Sequence, residues 1–121
     1  LDRSSAASDV YKRQPYVWGG YSPSGFDCSG FVSYCLTNSG VRNTGRLTAQ
    51  GLYNICTPVS QSEAQPGDLI FFTGTYDAGE PVTHIGIYVG NGQMIHCGHP
   101  VQYTSINSPY WQSHFYGFGR W

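Results

Sequence analysis

The cysteine at position 28 is the first residue that could act as a nucleophile. The apolar residues of its segment recur at the spacing of one helical face, and these are Cys28, Phe31, Val32, Cys35 and Leu36. Asp27 suits an N-cap and Gly40 suits a stop, so the pattern predicts a helix that begins at Cys28. The partial positive charge of a helix N-terminus favours the thiolate, the reactive form of a cysteine.

Two histidines, His84 and His96, lie in the segment HIGIYVGNGQMIHC, in which the dipeptide NG signals a hairpin turn. A two-residue loop would pair Ile87 with His96 and place a histidine on the apolar face. A three-residue loop over positions 90–92 pairs Ile87 with Ile95 instead. The hydrophobic pattern favours this second register, because a one-residue slip moves every side chain to the other face. Both histidines are then predicted on one face, within side-chain reach of each other.

These three side chains could form a hydrolytic site. Cys28 would be the nucleophile, His84 would take its proton and return it to the leaving amine, and His96 would hold His84 in its working tautomer. Gly30, inside the helix, would let a substrate backbone come close. The N–H groups around it could donate hydrogen bonds to an oxyanion.

Structural interpretations of the same residues stay open on pattern alone. Cys28 also fits an ordinary core cysteine, and a histidine beside glycine and tyrosine in a strand also fits a structural residue. A metal site built from His84, His96, His99 and a cysteine is a further alternative. Alternate strand positions point to opposite faces, which argues against it. We therefore expect neither a metal nor a cofactor.

The remaining elements predict an α+β layout, since helices come first and strands follow. A short helix is expected over positions 48–55, with Thr48 as its cap. A turn at Gln65-Pro66-Gly67-Asp68 should lead into a strand over 69–72, and a polar loop should follow. The tail from Val101 to Trp121 is expected to hold two more short strands around a loop that contains Pro109.

Composition excludes several classes of function. A chain of 121 residues with 40% apolar residues, 11% charged residues and a net charge of -1 fits one globular domain. It has no basic stripe for nucleic acid and no apolar run near the ~20 residues of a membrane span. None of the four cysteines forms a C-x-x-C pair. Cys28 and Cys35, seven residues apart on one helix, are too far apart for a disulfide.

Residues 1–14 differ in character from the rest of the chain. They are polar, and the string DVYKRQ resembles a translated sequencing-library adapter. We expect them to be a non-native or disordered leader, outside the functional argument. We also expect the chain to be a fragment of a longer protein, whose export signal and partner domains would lie upstream.

Four motifs stand in the order and spacing typical of one family, and they are PYVWGG, GFDCSGFV, PGDLIFF and HIGIYVGNGQMIH. Over residues 15–121 the chain resembles the NlpC/P60 cell-wall cysteine peptidases. It is especially similar to the C-terminal peptidase domain of two-domain wall hydrolases, in which a lysozyme-like domain comes first. The resemblance implies a papain-like α+β fold, with the cysteine on the first helix and an antiparallel sheet behind it.

The resemblance also implies a function and a set of site residues. The catalytic trio maps onto Cys28, His84 and His96, and the reaction is hydrolysis of the γ-D-glutamyl bond to the diamino acid of peptidoglycan stem peptides. The residues implied to line the substrate site are Tyr16, Asp27 and Ser29, and Trp18 of the first motif is a further candidate. Packing alone would also account for the two aromatic residues.

The expected partner is a peptidoglycan stem peptide, and the expected location is extracellular or in the cell wall. An upstream lysozyme-like domain would be a partner within the whole protein. A papain-like amidase or acyltransferase that acts on another amide or on lipid remains an alternative, as does a non-enzymatic binding domain. Cys97 departs from the family pattern and is interpreted as structural, and the segment from Gly74 to Val82 could rim the cleft.

Overall fold

The computed structural model describes residues 8–77 and 79–120. The elements in chain order are β1 (Tyr21–Ser22), β2 (Gly25–Phe26), α1 (Cys28–Asn38), α2 (Ala49–Ile55), β3 (Thr57–Val59), a 3₁₀ turn (Gln61–Glu63), β4 (Leu69–Phe72), β5 (His84–Gly90), β6 (Gln93–Cys97), β7 (Val101–Ser105), α3 (Pro109–His114) and β8 (Phe115–Arg120). The two predicted helices and the predicted strand over 69–72 are confirmed.

Strands β3 to β8 form one antiparallel sheet in the order β3-β8-β4-β5-β6-β7. Alternation along the strands gives the sheet two buried faces. One face carries Ile85, Ile87 and Ile95 and packs against α1 and α2. The other carries Phe72 and Met94 and packs against the tail that contains α3. The expected α+β architecture, a helix with the cysteine packed on an antiparallel sheet, is confirmed.

The two helices are capped as their sequences predict. The Asp27 side chain accepts the Gly30 N–H at the start of α1, and the Thr48 side chain accepts the Gly51 N–H at the start of α2. α1 ends at Asn38, and Gly40 follows with a φ of 77°, a left-handed conformation that suits glycine. Cys28 therefore opens α1, as expected.

The β5–β6 hairpin has the predicted register, with Ile87 opposite Ile95, but its loop is built differently. Gly90 pairs with Gln93, so the turn proper is the two residues Asn91-Gly92, both with positive φ. An irregularity between Tyr88 and Gly90 absorbs the extra residue. A turn with two left-handed residues matches the twist of the strands, and the bulge keeps the apolar residues on one face.

The tail contains an element that the sequence analysis missed. The predicted loop around Pro109 is the short helix α3, and it joins β7 to β8. Ser108 caps α3 by accepting the N–H of Trp111. Pro109 occupies the first turn, where a backbone N–H would have no partner within the helix, so proline is tolerated there. The strand pair β1–β2 and the short strand β3 also have no counterpart in the predictions.

The described part of the leader packs against the body. The ring of Tyr11 makes edge contacts with Phe26 and Tyr34, and the Arg13 N–H donates to the Val101 carbonyl at 2.8 Å. These contacts differ from the poor order expected for residues 8–14, because tyrosine supplies apolar area that the polar composition of the segment hid. Residues 1–7 lie outside the described residues, and the non-native origin of the leader stays a prediction.

No helix within residues 8–77 and 79–120 has the length and apolar character needed to cross a membrane.

Candidate active site

Cys28 lies where the start of α1 meets the start of β5. Its side chain is 7% exposed, and its thiol lies 3.7 Å from the Thr83 carbonyl oxygen. The N–H of Ile85 also donates to its sulfur. The pairing of β5 with β6 begins at Ile87 and Ile95 and continues toward the turn. The backbone of β5 before Ile87 is therefore not paired with β6 and can face the thiol. The sulfur thus touches the chain on both sides of His84.

The residues that flank Cys28 are held by an arginine that the sequence analysis missed. Arg46 donates from Nη2 to the Asp27 carboxylate at 2.7 Å and from Nη1 to the Ser29 hydroxyl at 3.0 Å. The same carboxylate accepts the N–H of Gly19 at 3.1 Å and that of Gly30 at 2.6 Å. Asp27 therefore joins the first-motif loop, the helix start and Arg46. No periodicity or spacing in the sequence pointed to Arg46.

Gly30 has a different role from the one expected. A Cβ at this position would collide with the carbonyl oxygen of Gly20 and would also crowd the Asp27 carboxylate. Its missing side chain therefore lets the first-motif loop pack against α1, and the expectation that it makes room for substrate is wrong. The Gly30 N–H is already used by the cap. The Cys28 N–H remains as a candidate oxyanion donor, whereas the Ser29 N–H donates to the Cys28 sulfur.

The two predicted histidines meet on the face of the sheet that carries Met94. His84 Nε2 lies 2.9 Å from His96 Nδ1, a hydrogen bond whose direction depends on the tautomers. His96 Nε2 lies 2.8 Å from the Thr104 hydroxyl on β7. His96 is 3% exposed. The register chosen from the hydrophobic pattern therefore brings the histidines together as expected, while Thr104 was not anticipated.

Trp111 of α3 covers the histidine pair. Its ring stacks on His84 with a centroid separation of 5.1 Å and an interplanar angle of 26°. The same ring meets His96 edge-on with a centroid separation of 5.2 Å, and its centroid lies 4.7 Å from that of the Phe72 ring. The residue was missed because the segment that carries it was predicted as a loop.

Burial disfavours the charged forms of Cys28 and of the two histidines. Burial first and the Asp27 carboxylate second raise the pKa of Cys28 to about 12, although the N–H groups of Ile85 and Ser29 act in the opposite direction. Burial lowers the pKa of His84, and the neighbouring His96 lowers it further. Burial likewise lowers the pKa of His96. These shifts favour the thiol of Cys28 and the neutral imidazole of His84, because the burial of Cys28 outweighs the helix N-terminus.

A cleft of about 430 Å³ opens above the thiol. Its lining includes Cys28 and all four residues predicted to contact substrate, namely Tyr16, Trp18, Asp27 and Ser29. Burial raises the pKa of Tyr16 to about 12, so its hydroxyl stays protonated and can donate toward the cleft. Trp18 is 72% exposed. Because Asp27 and Ser29 are bonded to Arg46, a substrate would meet them as part of one polar cluster.

Residues of the loop between β4 and β5, the segment that could rim the cleft, line another side of it. Tyr76 meets Trp18 edge-on with ring centroids 5.3 Å apart, and Asp77 and Glu80 also line the cavity. Neither carboxylate takes part in an ion pair within the described ranges. The cleft therefore has aromatic rings and free acidic groups on its loop side.

Within residues 8–77 and 79–120, no three His, Cys, Asp or Glu side chains are grouped so that they could hold a metal ion. The four cysteines are free thiols. The Cys97 thiol is buried and donates to the Phe26 carbonyl at 3.1 Å, in keeping with a structural role. His114 lies 2.7 Å through Nδ1 from the Thr73 carbonyl oxygen, a contact that fits a structural role.

Residues 13–120 match the family model described as NlpC/P60 family. This chain belongs to the NlpC/P60 family. It is 46% identical over 112 residues to the Bacillus subtilis protein named bifunctional muramidase/DL-endopeptidase CwlT, covering 91% of this chain and 33% of that protein. It is 49% identical over 116 residues to a Listeria seeligeri protein named probable endopeptidase p60, covering 95% of this chain and 21% of that protein.

A crystal structure of a Staphylococcus aureus protein of the NLP/P60 family, described as similar to a lipoprotein, has the same fold. The TM-score is 0.91 at 41% identity, over 97% of this chain and 39% of that chain. The expected family and its papain-like α+β fold are confirmed. NlpC/P60 proteins are cysteine peptidases, so the chain is a cysteine peptidase domain of this type. It spans a third or less of the length of the two curated relatives.

Proposed function

We propose that this domain hydrolyses peptidoglycan stem peptides at the bond between γ-D-glutamate and the diamino acid, with Cys28 as nucleophile, His84 as base and His96 as its orienting partner. One observation carries the proposal. The Cys28 thiol lies against the backbone on both sides of His84, and the Nε2 of His84 is already bonded to His96. The nitrogen left to serve the thiol is Nδ1.

The chemistry begins from the neutral pair. As the sulfur attacks the scissile carbonyl, the thiol proton passes to His84 Nδ1, and the S–C bond forms while the carbonyl π bond becomes an oxyanion. The imidazolium then gives this proton to the leaving amine as the C–N bond breaks, which leaves an acyl-enzyme. Water, deprotonated by His84, cleaves the thioester and restores the thiol.

The charges that develop in this sequence need partners in the protein. The Cys28 N–H at the start of α1 would donate to the oxyanion. Tyr16, whose hydroxyl stays protonated, would donate from the opposite wall of the cleft. His96 accepts the Nε2–H of the His84 imidazolium, and the face of Trp111 lies over that ring.

The substrate follows from the relatives and from the cleft. Curated proteins 40–49% identical to this chain are named endopeptidases, and one of them is named a DL-endopeptidase. The cleft offers Asp27, Ser29 and Arg46 for polar groups of a peptide, and Trp18 for packing against it. Substrate contact at these residues is part of the proposal, as are action in the wall or outside the cell and an upstream lysozyme-like domain.

Digestion of purified muropeptides tests the catalytic roles. We expect Cys28→Ala to remove cleavage, with a loss above about a thousandfold in kcat. His84→Ala should lose about 10²- to 10⁴-fold, the usual contribution of a general base. His96→Ala should lose less, because it acts through His84. Cys56→Ala, a half-buried cysteine that does not line the cleft, is the matched control and should keep full activity.

Mass spectrometry of the products tests the bond. Fragments that end in D-glutamate, together with new amino termini on the diamino acid, are the expected result. Release at another amide, or acyl transfer to an added amine or lipid, would replace the endopeptidase proposal with the amidase or acyltransferase alternative. A Cys28→Ala variant that kept most of its activity would show that the nucleophile is a different residue.

A further inference from the structure

Thr104 lies at the far end of the hydrogen-bond chain that starts at His84. It stands opposite Met94 in the β6–β7 pairing, which places it on the same sheet face as His96, two residues along β6. Its hydroxyl is 2.8 Å from His96 Nε2, while His96 Nδ1 is 2.9 Å from His84 Nε2. Both nitrogens of the buried His96 ring therefore have a partner.

The base can work in only one arrangement of protons along this chain. A neutral imidazole carries one N–H, so His84 can take a proton on Nδ1 only if its own proton is on Nε2. That N–H needs an acceptor, which must be the lone pair of His96 Nδ1. The proton of His96 is then on Nε2, where the Thr104 oxygen is the acceptor in reach.

The opposite arrangement would block the reaction. If the hydroxyl of Thr104 donated to His96 Nε2, the proton of His96 would be on Nδ1 and would point at His84. His84 would then carry its proton on Nδ1, and no lone pair would face the thiol. After proton transfer, the His84 imidazolium also needs His96 Nδ1 as acceptor. The neutral and the protonated form of His84 thus both need hydrogen bonds that run in one direction, from His84 to His96 and from His96 to Thr104.

We propose that Thr104 is a positioning residue of the catalytic base: its hydroxyl oxygen accepts the Nε2–H of His96 and thereby selects the His84 tautomer that can take the thiol proton. The inference rests on the proposed function, since it assigns the direction of proton transfer to the same three side chains. It adds a residue that touches neither the substrate nor the thiol.

Kinetics of two variants at this position separate the hydroxyl from the shape of the side chain. Thr104→Val keeps the volume and removes the acceptor, so the buried His96 N–H loses its partner. We expect kcat to fall about ten- to a hundredfold with KM unchanged, the range set by one unsatisfied buried donor. Thr104→Ser keeps the oxygen and should restore most of kcat. Thr57→Val, on the exposed edge strand β3, is the matched control and should behave as wild type.

Nitrogen-15 NMR of the histidine rings tests the same inference without substrate. In the wild-type chain, we expect the protons on Nε2 of both His84 and His96. In Thr104→Val, the Nδ1–H form should appear in both rings while the melting temperature stays close to that of Thr104→Ser. A wild-type His96 protonated on Nδ1 would overturn the proposal, as would a Thr104→Val variant with normal kcat. The NMR result stands even if Cys28→Ala remains active, so the two failures are distinguishable.

Discussion

The two histidines of the site are neutral in the folded protein because burial penalises their charged forms. Their ordinary pKa is 6.5, and burial holds both below it, His96 at about 4. The unfolded chain exposes the same rings to water and lets them titrate normally. Folding thus opposes proton uptake by these two side chains, and this links pH to both catalysis and stability.

Stability should fall as the pH drops below the ordinary histidine pKa. Between pH 6.5 and about 4 the unfolded chain binds protons that the folded chain does not, so the free energy of unfolding decreases through this window. Chemical denaturation from pH 8 to pH 4 measures the slope. A variant with His84→Gln and His96→Gln should show a shallower slope. Equal slopes in the two proteins would show that the two buried histidines do not cause the loss of stability at low pH.

Activity should follow the same titration. A protonated His84 cannot accept the thiol proton, so the acid limb of kcat/KM should lie below pH 6.5, displaced in the direction that burial dictates. The profile of kcat/KM against pH on a muropeptide measures it. An acid limb at or above pH 6.5 would mean that His84 is as exposed to water as an ordinary histidine.

Single residues also show where sequence reasoning stopped. The positions of Cys28, His84 and His96 could be predicted, because a capping residue, a helical stripe and a strand alternation fixed them. Arg46 could not, since its role depends on two groups 17 and 19 positions away that only folding brings together. Gly30 was misinterpreted for the same reason, because the Gly20 carbonyl that excludes a side chain belongs to another loop.

At the level of elements, the β5–β6 hairpin was the most predictable part of the fold. Its alternation allowed one register, and that register placed the histidines together. The loop length was less predictable, because a bulge and a two-residue turn give the same register as a three-residue loop. α3 was missed because six residues contain too few apolar positions for a helical period, although Ser108 followed by Pro109 was a usable start signal.

The contribution of α3 can be measured through Trp111. Trp111→Leu removes the ring that stacks on His84, so we expect a several-fold loss of kcat and a destabilisation of about 1–3 kcal/mol. Trp111→Phe keeps an aromatic face and should recover part of both. Tyr116→Leu, the control, changes an aromatic side chain of β8 that is 41% exposed and packs edge-on against Tyr53, and it should leave kcat unchanged. If Trp111→Leu matched Tyr116→Leu in kcat, the stack would have no part in catalysis.

At the scale of the whole molecule, the segment before Pro15 is continuous with the domain that follows. Tyr11 contacts the aromatic cluster beside α1, and Asp9 accepts the Tyr103 hydroxyl at 2.6 Å. Composition gave no sign of this, since the docking depends on individual contacts of Asp9, Tyr11 and Arg13 that the polar character of the segment does not reveal.

Unfolding experiments on two adjacent positions test the docking. Tyr11→Ala removes two edge-to-face ring contacts and should lower the free energy of unfolding by about 1–3 kcal/mol. Val10→Ala is the control, because that side chain is 73% exposed and its loss should cost under about 0.5 kcal/mol. Equal stability of the two variants would show that the ring contacts of Tyr11 do not contribute to the stability of the fold.

The sulfur and the imidazole belong to two bodies that are joined by packing. α1 carries the thiol, the sheet carries the histidines on its other face, and a layer of buried residues such as Phe31, Cys35 and Ile85 separates the helix axis from the strands. In the proposed mechanism, the thickness of that layer sets the distance between the attacking sulfur and the imidazole that acts as base. Protein interiors are nearly incompressible, so adding or removing one methylene in this layer should shift α1 relative to the sheet. Turnover should therefore depend on the side-chain volumes of this buried layer, although the substrate peptide does not contact it.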